Sequence, residues 1–212
     1  GEVRTYTFKT PSLLKKLYPG LVWDMKIEGR KNLYLTFDDG PIPDVTPWVL
    51  EILSEAKVGA TFFMVGDNIR KHPQVCQRVI AAGHSVGNHT YNHLNGWKTN
   101  TKEYLANIEA CKDILSKNHI HSNLFRPPYG KISRDQISQL GDSFKIVMWD
   151  YLSGDFDASL SADKIIRKFR KGVQPGSIVV FHDNIKSFDK LKITLPVFLK
   201  FFKEQGYHFD TL

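Results

Sequence analysis

The sequence predicts an α/β fold in which mostly parallel strands form a barrel-like sheet covered by helices. Three observations lead to this class. From Leu33 onward, short runs rich in β-branched and aromatic residues alternate with longer amphipathic stretches, which is the pattern of successive βα units. The chain has 212 residues, 42% of them hydrophobic, enough for one well-packed domain. Polar residues also collect where the predicted strands end, and in a parallel barrel those ends share one face, which is where active sites are built.

The elements follow from hydrophobic periodicity and from capping residues. The predicted strands are residues 33–37, 60–65, 84–87, 124–126, 145–149, 177–181 and 207–209. The predicted helices are residues 44–57, 73–82, 100–118, 133–140, 161–171 and 189–205. Helix N-caps are expected at Asp44, at Asn100 or Thr101, and at Ser161. We find no repeat and no linker, so we expect a single domain over residues 31–212.

Residues 1–30 differ in character from the rest of the chain. They mix lysines with leucines and aromatics around two prolines, and we interpret them as an N-terminal extension packed on the domain. A membrane-surface anchor is the alternative. The first residue is Gly rather than Met, which is consistent with a processed N-terminus. We expect an exported protein of the cell envelope, the periplasm or the medium, and a cytoplasmic location stays open.

Net charge and cysteine content exclude several classes of protein. The formal charge of +7 makes nucleic acid, an anionic membrane or an acidic polymer conceivable partners. The basic residues are scattered, however, and no nucleic-acid readout motif accompanies them, so we expect no nucleic-acid partner. Cys76 and Cys111 are too few for a disulfide scaffold and are predicted to be buried free thiols. No apolar run reaches the roughly 18 residues of a transmembrane span.

The candidate functional residues lie just after predicted strands. Asp38 and Asp39 follow the first strand as adjacent carboxylates, and Gly40-Pro41 supplies a bend that lets both face one region. Such a pair suits one carboxylate on a metal and one acting as a base. Ordinary turn chemistry is the competing interpretation, because Asp-Gly-Pro is a common turn sequence.

A histidine pair follows the third strand. The four-residue spacing of His89 and His93 would place both on one face of a helical turn, as in helical two-histidine metal sites. Two histidines and a carboxylate leave a coordination position open for water, which is typical of a catalytic metal. A surface pair is the alternative for these two residues, and His84, at the opposite end of its strand, is predicted to be structural.

The remaining clusters add groups suited to acyl hydrolysis. Arg126 is a fixed cation that can keep a carboxylate ionised, and the Pro-Pro-Tyr129 loop after it can hold a backbone N–H as an oxyanion donor. His182 is a natural general acid, oriented by Asp155 or Asp150. A structural histidine is the competing interpretation of His182.

These residues resemble the motifs of the polysaccharide deacetylases, carbohydrate esterase family four, which share the NodB homology domain. Residues 36–41 match TFDDGP, residues 89–93 match H-S/T-x-x-H, and residues 126–130 match R-x-P-Y-G. Asp155-Phe156 stands where the family usually has Asp-Trp, and residues 180–182 stand where it usually has Leu-x-His. The resemblance runs from about Leu33 to the C-terminus and implies the NodB fold, a distorted or incomplete (β/α)7 barrel similar to a TIM barrel.

The resemblance also implies roles for individual residues. Asp39, His89 and His93 would bind one divalent metal ion, zinc in the first place and cobalt or nickel otherwise. Asp38 would be the general base, with Arg126 paired to it.

On the acid side of the reaction, His182 would protonate the leaving amine with Asp155 as its partner, and the Tyr129 N–H would help to hold the oxyanion. The residues expected to line the substrate pocket are Pro128, Tyr129, Phe156 and Val180. Phe156 and Val180 depart from the usual family residues.

The implied activity is removal of N-acetyl groups from N-acetylglucosamine-type residues of peptidoglycan or chitin-like oligomers. Deacetylation of O-acetylated xylan and hydrolysis of a small non-sugar amide are alternatives, and an inactive carbohydrate-binding barrel is the non-enzymatic one. A glycan would need exposed aromatics near the motif loops, and the candidates are Tyr91, Trp97, Tyr129, Tyr151 and Phe156. Oligomeric state is not readable from the sequence.

Overall fold

A computed structural model describes residues 6–212 and shows a parallel sheet rolled into a distorted barrel. The strands are β1 Asn32–Asp38, β2 Thr61–Met64, β3 Ser85–Asn88, β4 Leu124–Phe125, β5 Lys145–Ile146, β6 Tyr151–Leu152, β7 Ile178–His182 and β8 His208–Phe209. Seven of them lie in the order β5-β4-β3-β2-β1-β7-β6, and β8 pairs with β1. The predicted barrel class is confirmed.

The strand predicted over residues 145–149 is interrupted, and β6 was not predicted. Val147 N–H donates to Phe125 O at one edge of the sheet, whereas Asp150 N–H donates to Ile178 O at the other edge. Residues 147–150 therefore cross the gap between β5 and β6. This crossing is the distortion of the barrel, and no periodicity in so short an apolar run indicates it.

Helices cover the outside of the sheet. They are α1 Ser12–Leu17, α2 Val45–Ala56, α3 Gly66–Lys71, α4 Pro73–Ala81, α5 Thr101–Lys117, α6 Arg134–Leu140, α7 Ala162–Gly172 and α8 Phe188–Glu204, with short 3-10 turns at Gly96–Lys98 and Pro128–Gly130. Six of the eight were predicted, and α1 and α3 were not, because each has only six residues. Within residues 6–212, no helix combines the length and apolar character that crossing a bilayer requires.

The predicted N-caps are confirmed at two helices and wrong at a third. Asn100 accepts a hydrogen bond from Glu103 N–H at 2.9 Å, and Ser161 caps α7 in the same way. Asp44 has a φ of 68° and makes no side-chain cap bond, so it does not cap α2. The side chain of Thr46 accepts the N–H of Ile42 at that turn instead.

Aromatic side chains dominate the core between the sheet and the helices. Phe37 on β1 stacks on Phe62 with ring centroids 5.0 Å apart, and Phe181 on β7 packs against Phe198 of α8 at 5.2 Å. Cys76 and Cys111 are buried free thiols, as predicted. Burial raises the pKa of Cys76 to about 11 and that of Cys111 to about 12, so both remain protonated thiols at neutral pH.

The N-terminal arm, defined here as residues 6–30, lies along the segment that crosses the barrel gap. Lys9 forms an antiparallel bridge with Tyr151, and Val22 forms a parallel bridge with Val147. Lys9 and Lys15 both donate to the buried carboxylate of Asp150. Burial alone would raise the pKa of Asp150, but the hydrogen bonds from these lysines lower it below its ordinary value. The arm therefore covers the sheet edges that β5 and β6 would otherwise expose.

Candidate active site

The carboxyl ends of the central strands surround one cavity of about 450 Å³. Asp38 ends β1, Asn88 ends β3 immediately before His89, and His182 ends β7. Because parallel strands share a carboxyl edge, side chains far apart in sequence meet there. The predicted site residues that line the cavity are Asp38, Asp39, His89, His93, Tyr129, Phe156 and His182.

Asp39, His89 and His93 form a compact cluster whose potential ligand atoms lie within 4.8 Å of one another. Asp39 Oδ1 lies 3.0 Å from His93 Nε2 and 3.4 Å from His89 Nε2. The structure thus brings together the three residues that the sequence predicts as metal ligands. The helical turn expected for the histidines is wrong, because Thr90 and His93 have φ values of 62° and 56° and the segment is a loop.

The two carboxylate oxygens of Asp39 have different surroundings. Oδ2 accepts a hydrogen bond from Asn184 Nδ2 at 2.7 Å. Oδ1 is buried and accepts no hydrogen bond from the described part of the chain, although it faces both imidazoles. The backbone of Asp39 has a φ of 88° and its carbonyl accepts a bond from Asn68 Nδ2, so the side chain is held in this orientation from two sides.

The tautomer of His89 follows from its other ring nitrogen. Nδ1 lies 2.7 Å from the carbonyl oxygen of Arg126, and a carbonyl can only accept, so Nδ1 carries the proton and Nε2 presents a lone pair. The lone pair of His89 Nε2 and the carboxylate oxygen Oδ1 of Asp39 therefore face each other. This donor set fits a divalent cation.

Asp38 is held separately from Asp39. Its Oδ1 accepts a bond of 2.8 Å from Arg126 Nη1, while its Oδ2 lies 3.9 Å from His89 Nε2. Arg126 is completely buried, and its remaining N–H groups donate to Thr36 Oγ1 and to backbone carbonyls of the segment that crosses the gap. The guanidinium also stacks 4.3 Å from the ring centroid of Phe63. A fixed cation thus neutralises one face of Asp38 and leaves the other facing the cavity.

His182 is bound twice by Asp155. The two contacts are Nδ1 to Oδ1 at 2.8 Å and backbone N–H to Oδ2 at 2.7 Å. Burial lowers the pKa of His182, but the carboxylates of Asp155, Asp39 and Asp38 outweigh that effect and raise it to about 10. Of the two predicted partners, Asp155 is confirmed as the contact. Asp150 is not, because its carboxylate binds the lysines of the N-terminal arm.

The residues predicted to line the substrate pocket divide into two pairs. Tyr129 is 59% exposed with a φ of 63°, and the ring of Phe156 lies 5.3 Å from that of His182. Pro128 is buried beneath the loop. The prediction that Val180 lines the pocket is wrong, because this residue is fully buried inside β7, two residues before the strand reaches the cavity.

Sequence reasoning missed the polar residues that support the cluster. Asn184 stands two residues after His182 and Asn68 lies in α3, and neither belongs to a cluster that periodicity or spacing singles out. Asp183 lies beneath the Asp39-Gly40 turn, where it accepts bonds from Gly40 N–H and Thr46 Oγ1. Burial raises the pKa of Asp183 well above its ordinary value. The sequence signal that points to Asp183 and Asn184 is the run of polar residues directly after the end of β7.

Among the aromatic candidates for a glycan groove, exposure differs sharply. Trp97 is 67% exposed, Tyr91 and Phe156 are half-buried, and Tyr151 is buried in β6. His84 is buried, and its Nδ1 accepts the N–H of Ala60, in agreement with the structural role predicted for it.

The fold and the cluster define a distorted (β/α)7 barrel whose cavity contains an Asp-His-His set of the kind that holds one divalent metal. The family described as polysaccharide deacetylase matches residues 26–143. The chain is 32% identical to a peptidoglycan-N-acetylglucosamine deacetylase of Bacillus cereus over 94% of this chain and 95% of that protein. It is 31% identical to a chitooligosaccharide deacetylase of Bradyrhizobium over 74% and 73% of the two chains.

A solved structure agrees with these sequence matches. The peptidoglycan N-acetylglucosamine deacetylase Bc1960, in complex with 4-naphthalen-1-yl-N-oxidanyl-benzamide, superposes with a TM-score of 0.83 at 31% identity and covers 94% of both chains. The chain spans 56% and 39% of the length of two longer peptidoglycan deacetylases that it also matches, from Bacillus cereus and Listeria monocytogenes. The chain belongs to the polysaccharide deacetylase family.

Proposed function

We propose that this protein is a metal-dependent hydrolase that removes N-acetyl groups from N-acetylglucosamine residues of peptidoglycan or of chitin-like oligomers. One observation carries the proposal: two neighbouring carboxylates have different partners around a single cavity. Asp39 faces two imidazoles, whereas Asp38 is paired with a buried arginine, and a second acid–base pair, His182 with Asp155, lines the same cavity. This set of groups is typical of hydrolysis and unnecessary for a binding module.

Asp39, His89 and His93 would hold the metal, for which we propose zinc, with cobalt or nickel able to replace it. The bound ion would supply a Lewis acid that acidifies water and polarises the acetyl carbonyl. The chain's own contribution is the orientation of the three ligands. Asn184 fixes Asp39, and the Arg126 carbonyl fixes His89 in the tautomer that presents Nε2.

Asp38 acts as the general base in this proposal. Arg126 fixes one oxygen of this carboxylate through a hydrogen bond, so the other oxygen can take a proton from the attacking water. His182 acts as the general acid that protonates the leaving sugar amine. Its raised pKa, about 10, keeps it protonated at neutral pH, and Asp155 holds the ring in place.

Tyr129 provides the oxyanion donor through its backbone N–H. Its left-handed backbone and its place on the cavity wall support this role, because the loop conformation is fixed before substrate arrives. Phe156 packs against His182 and limits the space for the acetyl group. The products are acetate and a free glucosamine-type amine.

The relatives support the proposed substrate and location. A peptidoglycan or chitooligosaccharide deacetylase acts on a glycan, and peptidoglycan lies outside the cytoplasmic membrane, so we propose that this protein works in the cell envelope or outside the cell. The formal net charge of +7 agrees with an anionic wall polymer as partner.

Acetate release from chitopentaose and from isolated peptidoglycan tests the proposal. The wild-type protein should release acetate, chelation should abolish the release, and added zinc should restore it. D39A and H89A should each lose more than about 100-fold in kcat/KM. I193A is the matched control and should stay active, because Ile193 is an exposed residue of α8. Activity that survives chelation and both ligand substitutions would contradict the proposal.

A further inference from the structure

A second cavity of about 450 Å³ adjoins the active-site cavity. Tyr6, Tyr129, Lys131, Trp149 and Leu152 line both, so the two cavities are direct neighbours. The second cavity, called the flanking groove below, runs between the N-terminal arm and the loop that carries Trp97. None of the groups proposed for catalysis lies in it except Tyr129, at the junction.

Trp97 stands at the rim of the flanking groove with 67% of its surface exposed. An exposed tryptophan side chain that nothing holds in place is expected to sample several rotamers. Here the indole Nε1–H donates to the carbonyl oxygen of Ile132 at 3.2 Å, and the ammonium of Lys131 lies 5.2 Å from the ring centroid. The ring is therefore fixed although it is exposed.

The backbone beneath Trp97 is fixed as well. Asn95 Oδ1 accepts the N–H of Trp97 at 3.0 Å, and Gln136 Nε2 donates to the carbonyl of Gly96 at 2.8 Å. Gly96 lies so close to residues 131–136 that an added Cβ would stand 2.4 Å from the carbonyl oxygen of Lys131. The turn is thus clamped to the loop that follows Tyr129. A rigid, exposed aromatic surface next to an active site lowers the conformational entropy lost on binding.

We propose that the flanking groove binds a second pyranose ring of the glycan, next to the residue that is deacetylated, with Trp97 as its stacking platform. This inference rests on the proposed function and names the part of the substrate that the groove recognises. One face of a pyranose ring presents aliphatic C–H groups that pack on an indole, while its edge presents hydroxyls.

The opposite wall of the groove matches an amphipathic sugar. The N-terminal arm contributes apolar surface from Pro11 and Leu14 together with Tyr18, whose hydroxyl can serve as a hydrogen-bonding group. Lys131 lines both cavities, so its ammonium can donate to hydroxyls of either ring. A chain that bridges both cavities would contact Trp97 on one side and the arm on the other.

The first test compares N-acetylglucosamine, which has a single ring and leaves the flanking groove empty, with chitopentaose as substrates of the metal-loaded enzyme. W97A should lower kcat/KM on the pentamer by about tenfold through KM, which corresponds to about 1.4 kcal/mol, and by clearly less on the monomer, which has no second ring to stack on the indole. W97F should fall between W97A and the wild type. Equal losses on both substrates, or no loss on the pentamer, would overturn the inference. If W97A folds poorly by circular dichroism, W97F against wild type decides by the same criteria.

The second test measures binding without turnover. In a D38N background, the shift of tryptophan emission on titration with chitopentaose gives a dissociation constant, and Trp149, which lines both cavities, still reports binding when Trp97 is replaced. The dissociation constant should be about tenfold higher in D38N/W97A than in D38N, and equal dissociation constants in the two proteins would overturn the inference. The two proposals fail separately: a wild-type protein that releases no acetate from any oligomer contradicts the activity, whereas an active enzyme indifferent to W97A contradicts the groove alone.

Discussion

Asn184 Nδ2 lies 2.7 Å from Asp39 Oδ2 and donates a hydrogen bond to it. This contact occupies one oxygen of the carboxylate and leaves Oδ1 directed at the imidazoles of His89 and His93. Asn184 is itself anchored, because its Oδ1 accepts the N–H of Ser187 at 2.9 Å. The orientation of the proposed metal ligand thus depends on a residue that carries no charge and is not expected to touch the metal.

Replacing Asn184 by alanine should weaken zinc binding by about 10-fold or more, because the carboxylate would lose the bond that orients it. Competition with a chromophoric chelator measures the dissociation constant directly. I185A is the matched control, since the neighbouring Ile185 is exposed and should leave zinc binding unchanged. Unaltered affinity in N184A would show that Asp39 is oriented without this contact.

The pH dependence of activity should report on Asp155. The carboxylate is a principal cause of the raised pKa of His182, about 10, so the acid form of His182 persists well above neutral pH. In D155N the charge is lost, the pKa falls, and the alkaline limb of the kcat profile should move down by at least about one pH unit. D163N removes an exposed carboxylate of α7 and should leave the profile in place. An unshifted limb in D155N would contradict the role of His182 as acid.

Gly40 should tolerate no side chain. An added Cβ would stand 2.1 Å from Asp183 Oδ2, and that carboxylate is itself buried and hydrogen-bonded to Thr46. G40A should therefore lower the free energy of unfolding by about 2 kcal/mol or more, as measured in urea. G20A is the control, because nothing lies within 4 Å of a Cβ at Gly20. Equal stability of the two variants would mean that the turn above Asp183 can shift at little cost.

The attachment of the N-terminal arm should depend on the ionisation of Asp150. Its native pKa is lowered, so its contribution to stability is fully present above the unfolded value near 3.8 and is lost as the pH falls through the native value. D150N should lower the free energy of unfolding by about 2 kcal/mol at pH 7, because it breaks the ion pairs with Lys9 and Lys15. The loss is no larger because both lysines are partly exposed and can regain water. Urea unfolding should show this difference shrinking toward pH 3. A difference independent of pH would exclude the ion pairs as its cause.

Much of the site could be predicted because its residues are clustered in sequence as well as in space. Asp38, Asp39 and His182 stand directly at strand ends, and the parallel arrangement brings strand ends together whatever the details of the loops. Asp155 could be named as a partner of His182, but the choice between Asp155 and Asp150 required the structure.

What could not be predicted depends on backbone conformation and on single distant contacts. His89 and His93 meet through a loop with left-handed residues, which four-residue spacing cannot distinguish from a helical turn. Val180 is buried although it stands in a motif. The strand β6 contains only two residues and exists because β7 is beside it. Short strands are specified by tertiary pairing more than by their own sequence.

The position of the N-terminal arm joins two properties that are usually engineered separately. Its lysines anchor it to Asp150 behind the barrel gap, and its apolar residues Pro11 and Leu14 form a wall of the flanking groove. With a glycan ring in the flanking groove as proposed, trimming this segment to obtain a shorter catalytic fragment should alter the range of oligomer lengths accepted as well as the melting temperature. Exchanging the arm between relatives offers a route to changing chain-length preference without altering any group that performs the chemistry.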